Sequence, residues 1–294
     1  IDNYLRICGK ANMSMWINIG VSVLNIILDA IFIGYLKLGI EYAALASSLS
    51  MSIGTLILIY PFITKKVALK FTKPKIKIKE MLGIIYNGSS QFFSNISGSI
   101  MAIIMNSFLL YYGGAVGVAA YSIVMYIESL IVPMLFGMID AVQPVFSYNY
   151  GAKNNKRIMT FFKITCTVAL SISIVTMIII FVFPDFLVRM FSSESDIAVI
   201  DMAKKALLLY APSYLFTWFI MTVSGVLTGL EKATESIVLM SAESIILPLF
   251  STLVLTQLIG VYGIFITPTI SGAVSIVVSI ILWRKCIKSE IENS

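Results

Sequence analysis

The sequence predicts an all-α polytopic membrane protein with about eight transmembrane helices, and three observations carry that prediction. Of its 294 residues 59% are hydrophobic and only 12% are charged, about half the ~25% charged share of a soluble domain. Its mean hydropathy is +0.95, more apolar surface than a soluble core can bury, so the solvent must be lipid. The Lys and Arg residues gather on alternate connections between apolar runs, as the positive-inside rule requires of a multi-pass protein.

A bilayer core of about 30 Å needs about 20 residues of helix. Segments that meet this lie at 13–35, 42–64, 83–112, 117–141, 160–184, 207–229, 236–258 and 261–283. Turn and break signals separate them at Gly39, Gly113-Gly114, Gly151, Gly229 and Gly260. The third segment is the most polar, opening with "MLGIIYNGSSQ". With residues 1–11 in the cytoplasm, the opposite side holds just Lys37, Arg189, Lys204 and Lys205. All the rest of the 21 Lys and Arg then fall on the cytoplasmic side, which places the C-terminus in the cytoplasm of a plasma (inner) membrane protein. The basic run "KKVALKFTKPKIKIK" therefore meets the anionic leaflet, and no nucleic acid partner is expected.

Other chemistries are excluded by what the chain lacks. There is no histidine, the commonest metal ligand and proton relay near neutral pH. Cys8, Cys166 and Cys286 form no CxxC pair. Neither HExxH nor GxSxG occurs, so the chain is not read as a membrane-embedded enzyme and needs no cofactor.

An internal repeat organises the spans. "GKANMSMWINIGVSVLNIILDAIF" matches "EKATESIVLMSAESIILPLFSTLV" at an offset that pairs Lys10 with Lys232 and Ala11 with Ala233, and "LGIEYAALASSLS" matches "IGVYGIFITPTISG", pairing Gly39 with Gly260. Same-direction repeats mark transporters whose two lobes are related by an axis along the membrane normal. On this pattern residues 1–64 end an N-terminal lobe, 65–80 form a basic cytoplasmic linker, and 81–294 form a six-helix C-terminal lobe and tail. The four spans before the second repeat lack partners here, and those partners would begin about 140 residues before Ile1 in a six-plus-six bundle.

These residues resemble a known family. "QPVFSYNYGAKNNKRI", Gln143 to Ile158, resembles the loop after the eighth helix of multidrug and toxic compound extrusion (MATE) transporters. "LRICGKANMSM" and "LGIEYAALASSLS" resemble the starts of that family's fifth and sixth helices, and Pro248 matches a proline usual in its eleventh. The likeness runs from Leu5 to Trp283 and implies two six-helix lobes around a V-shaped cavity, with about the first four helices lacking from this chain. It also implies export of bulky, mostly cationic compounds against entry of protons or sodium ions.

The candidate site residues are polar groups inside apolar spans. Ser14, Asn18, Ser22, Asn25 and Asp29 lie three or four residues apart and share one face. A carboxylate at this depth faces a cavity or a partner: Asp29 either serves an ion or proton, or hydrogen-bonds neighbouring helices. Oxygen ligands suit hard cations. The resemblance implies an Asn and an Asp four apart in the fifth helix with a Thr in the sixth, positions held here by Asn25, Asp29 and Ser47, around a proton or a sodium ion. The family's other carboxylate comes from its first helix.

Glu128 is a second mid-span carboxylate, read as lining a substrate cavity or carrying a proton, against a hydrogen bond between lobes. Asp140 lies near the cytoplasmic end of the same helix, and Glu243 stands near the point where the family often has Arg. Asn87, Gln91 and Asn95 give the third span an uncharged polar face, with Gln91 and Asn95 counted among cavity candidates. The expected partners are small cationic or amphipathic molecules and membrane lipids, with the protein a monomer. Two rivals remain: a lipid-linked oligosaccharide flippase of the same superfamily, which would carry Arg or Lys in its cavity, and a truncated, transport-incompetent fragment.

Overall fold

The computed structural model describes residues 1–73, 77–192 and 196–288, with the side chains of residues 90, 91, 93, 94, 287 and 288 left aside. Every regular element among the described residues is helical. Seven of the helices are long and apolar enough to cross a membrane, and one of them contains two crossings. That helix, α4 (Ile78–Gly151), breaks at Gly114, whose φ of 59° and ψ of −160° belong to a region reserved for glycine. Its two arms, 78–113 and 115–151, are the third and fourth expected spans. The chain divides into two compact units, Ile1–Ile76 and Lys77–Ser294.

The first unit holds α1 (Asp2–Ile7), α2 (Ala11–Asp29), which continues as a π-helical turn over Ala30–Tyr35, and α3 (Glu41–Ile63). Its two spans form a hairpin in which Gly54 lets Val21 approach the α3 backbone. A small cluster of Leu5, Phe62 and Val67 closes its Lys-rich end.

The second unit holds α4, α5 (Asn155–Val182), α6 (Pro184–Arg189), α7 (Ile197–Tyr210), α8 (Tyr214–Gly229), α9 (Ala233–Ser241), α10 (Leu247–Ile259) and α11 (Val261–Leu282). A 3-10 turn over Ala211–Ser213 joins α7 to α8, and a π-helical turn over Ala242–Ile246 joins α9 to α10. Pro248 explains the second junction: it has no N–H to give the Ser244 carbonyl, so the i→i−4 ladder cannot run through. Two buried clusters form the core. One gathers Leu109, Ile127, Leu207, Tyr214 and Phe265, the other Phe146, Ile158, Ile220, Leu227 and Leu239.

Several boundaries move from their sequence-based positions. The fourth span was expected to end at 141, but the helix runs to Gly151, so Gln143–Tyr150 is helix rather than loop. Its polar residues are absorbed locally: Asn149 Nδ2 donates to the Val145 carbonyl at 2.8 Å and Ser147 Oγ donates to the Gly229 carbonyl at 2.9 Å. The sixth span starts at Ile197 instead of 207, which carries Lys204 and Lys205 into a helix where they pair with Asp185 and Asp201.

The two stretches matched in sequence follow helix stops of the same kind. After α1, the Lys10 N–H bonds the Leu5 carbonyl at 2.9 Å and the Gly9 N–H bonds Arg6 at 3.0 Å; after α8, Lys232 bonds Leu227 at 2.9 Å and Glu231 bonds Thr228 at 3.2 Å. Both are Schellman stops with a left-handed residue, Gly9 (φ 74°) and Glu231 (φ 58°). The same stop closes α3 at Lys65 (φ 56°) and α4 at Lys153 (φ 54°). The expected pairing of Gly39 with Gly260 does not hold at this level. In the connection between α2 and α3 the left-handed residue is Lys37 (φ 51°), whereas Gly260 (φ 62°, ψ −138°) shares its geometry with Gly114.

Candidate functional site

In the first unit the predicted polar stripe splits in two. Ser14 Oγ and Asn18 Nδ2 both donate to Asp2 Oδ1, the second at 3.0 Å, and Asp2 also pairs with Arg6 at 2.7 Å. Ser22 turns back to the Asn18 carbonyl at 3.1 Å. That half of the stripe ties α1 to α2. In the other half Asn25 Nδ2 donates to Ser47 Oγ across the hairpin at 3.2 Å, joining two of the three residues that the family resemblance singles out. One turn further, Asp29 Oδ1 is buried without a hydrogen-bond partner at the start of the π-helical turn. A π-turn interrupts the α ladder and is common at functional positions. An amide oxygen, a hydroxyl and an unengaged carboxylate oxygen thus lie along one side of the α2–α3 hairpin, a donor set suited to a hard cation or a proton.

In the second unit a cavity of about 340 Å³ opens between the first arm of α4, its second arm, α8, the α9–α10 junction and α11. Glu128 and Glu243 both line it, with Tyr121, Tyr210 and Pro268. The Tyr210 hydroxyl engages the Glu128 carboxylate, and Glu128 and Glu243 are near enough to feel each other's charge. Ser244 Oγ donates to Glu243 Oε2 at 3.3 Å. Methionines 101, 105, 125 and 221 supply a soft, adaptable wall. Among the described residues that line it there is no Lys or Arg.

The other cavity candidates lie elsewhere. Asp140 lines a second cavity of about 60 Å³ with Gln143, Ser224, Gly225 and Thr228, and Glu243 lines that one too. Asn95 is exposed and outside the lining of the larger cavity, whose wall on that arm begins one turn later at Gly98. The side chain of Gln91 lies outside the described residues. Sequence reasoning missed Tyr121 and Tyr210; the signal was there, since two tyrosines inside apolar spans need partners for their hydroxyls. Among the described residues no group of three or more Cys, Asp or Glu is placed to hold a metal ion.

Residues 91–253, which supply most of the cavity wall, match the MatE family. The chain belongs to that family. Among MatE-related proteins, it is 27% identical over 274 residues to the multidrug export protein MepA of Staphylococcus saprophyticus, covering 90% of this chain and 58% of that protein. A MepA of Staphylococcus haemolyticus is likewise 27% identical over 271 residues, with the same coverage. The chain thus spans little more than half the length of these relatives. Its structure is similar to an outward-facing multidrug resistance MATE family transporter of the MOP superfamily, with a TM-score of 0.92, 25% identity, and coverage of 100% of this chain and 66% of that one. It is also similar to a MOP superfamily transporter from Pyrococcus furiosus described by the reverse polarity of its binding pocket, with a TM-score of 0.89, 26% identity, and coverage of 97% and 64%.

Proposed function

We propose that this MatE protein works, within its full-length form, as a secondary active efflux antiporter for cationic or amphipathic drug-like compounds. The observation that carries the reading is the cavity of the second unit. It holds two carboxylates and two tyrosines in a methionine-rich wall and no basic side chain. A carboxylate partly removed from water needs a cation or a proton, and an adaptable wall accepts cations of varied shape. Glu128 is the charge anchor. The absence of Lys and Arg from the lining argues against a flippase for anionic lipid-linked sugars.

Asp29, with Asn25 and Ser47, holds the driving proton or sodium ion. Ion and substrate each bias the protein between inward- and outward-open states. The Lys-rich stops and the C-terminus face the cytoplasm of the plasma membrane, and the protein acts as a monomer. The test is ethidium accumulation by inverted vesicles holding the full-length protein under an imposed ion gradient. Glu128→Gln should lower accumulation at least about tenfold, the loss of one charged hydrogen-bonding partner. Undiminished accumulation by that variant would remove the assignment.

A further inference from the structure

We propose that Glu243 is a proton relay linking Glu128 to Asp140, so that the proton displaced from Glu128 leaves by a route separate from the one the substrate uses. The inference rests on the efflux reading for its direction, but its geometry is independent of it. Glu243 is the one carboxylate that lines both the larger and the smaller cavity. Glu128 and Asp140 are on the same helix, twelve residues apart, which is about 18 Å along the axis at 1.5 Å per residue and about 120° around it. Neither reaches the other directly. Glu243 comes from a different element and stands in the wall shared by the two cavities.

The smaller cavity has the properties of an outlet. Its volume of about 60 Å³ is room for about two waters. Besides the two carboxylates its lining offers Gln143, Ser224 and Thr228 as hydrogen-bonding groups. Asp140, which lines it as well, is exposed. Pro144 withholds from the Asp140 carbonyl the N–H that would have bonded it, so this turn carries an additional acceptor. Gly229 lies against the Gln143 carbonyl, 3.2 Å from where a Cβ would stand, and brings the end of α8, which Glu231 and Lys232 follow, beside Gln143. Glu243 itself sits in the π-helical turn, where an irregular ladder lets a side chain be re-aimed at small cost.

The titratable groups facing Glu243 are few. Glu128 and Asp140 come from α4, and Tyr121 and Tyr210 line the larger cavity from α4 and α7; α8 and α11 bring none to either lining. No Lys or Arg lines either cavity, so nothing fixes Glu243 as a permanent carboxylate. The steps balance. The neutral acid of Glu128 gives its proton to the Glu243 carboxylate and becomes the anion that receives the cation. Protonated Glu243 then passes the proton through water to Asp140, which releases it to solvent at the Lys-rich end.

Time-resolved infrared spectroscopy on the full-length protein after a pH jump follows loss of the Glu128 carboxylic-acid band, identified by its absence in Glu128→Gln. Asp140→Asn, at an exposed position, should slow that loss at least about tenfold, while the equilibrium affinity for ethidium stays within about twofold, because the end states are unchanged. Glu243→Gln should slow it similarly, and Gln143→Leu supplies a third variant outside the carboxylates. Band loss at the wild-type rate in Asp140→Asn overturns the relay. So does an equal fall in rate and ethidium affinity, which would mark a general distortion. A wild-type protein that binds no ethidium overturns the efflux reading instead, and the infrared rates still decide the relay.

Discussion

The two units treat buried polarity in opposite ways. In the first, the span over Ala11–Tyr35 has no buried residue in its most apolar stretch, and Asn25, Asp29 and Ser47 sit along an open two-helix hairpin with a single hydrogen bond among them. In the second, the span over Ile197–Gly229 is half buried, and Glu128 and Glu243 are enclosed by helices on several sides. An enclosed cavity holds a larger guest and excludes water from the charge that anchors it. The contrast teaches that a two-helix unit keeps its polar groups along its surface, whereas a unit of several packed helices encloses them.

The largest expected effect tests the separate roles proposed for Asp29 and for the binding of ethidium in the second unit. Asp29→Asn in the full-length protein should abolish ion-coupled ethidium efflux while leaving ethidium affinity within about threefold, under about 0.7 kcal/mol. Titrating ethidium fluorescence beside the vesicle assay checks both halves, and loss of affinity together with efflux would merge the two roles into one.

A smaller effect separates the units by packing. Gly260→Ala forces a side chain into a glycine-only backbone region and should destabilise by about 1–3 kcal/mol. Gly39→Ala should stay within about 0.5 kcal/mol, since its φ is not positive and the added Cβ meets just the flexible Glu41 side chain. Thermal unfolding of the full-length protein in detergent reads the difference, and equal losses would mean that the sequence match of these glycines reflects a shared structural demand after all.

How much of this was legible beforehand follows from what each feature depends on. The spans were, because hydropathy over about 20 residues is a bulk property. The Asn25–Ser47 contact was legible only through the family resemblance, which set Ser47 beside Asn25; spacing alone put Asn25 on a polar face and said nothing of Ser47. The end of α4 was not: Gln143–Tyr150 has the composition of a loop, and its helicity comes from neighbours such as Gly229 that satisfy its polar groups. Nor was the meeting of Glu128 with Glu243. They lie on different helices with no common period, and packing alone joins them. Asp140 was assigned to the same cavity as Glu128, but helical geometry turns it away.

The smallest effect concerns the matching stops. Glu231→Gly should stabilise by about 0.5–1 kcal/mol, the left-handed strain relieved less the added freedom of glycine when unfolded. Gly9→Glu should lose a similar amount. Equivalent shifts in midpoint denaturation would confirm that the two turns are energetically as well as geometrically alike; unequal shifts would limit the likeness to shape.

Each of the four Schellman stops carries a lysine within a residue of its left-handed position: Lys10, Lys65, Lys153 and Lys232. Helix termination and headgroup anchoring are therefore encoded side by side at every one of them, the first by backbone hydrogen bonds and the second by charge. After α1 and α8 the lysine follows the left-handed residue, so its removal leaves the fold-back intact; after α3 and α4 Lys65 and Lys153 are themselves left-handed, so one substitution touches both. The turns after α1 and α8 should therefore tolerate substitution of their lysines better than the turns after α3 and α4 do.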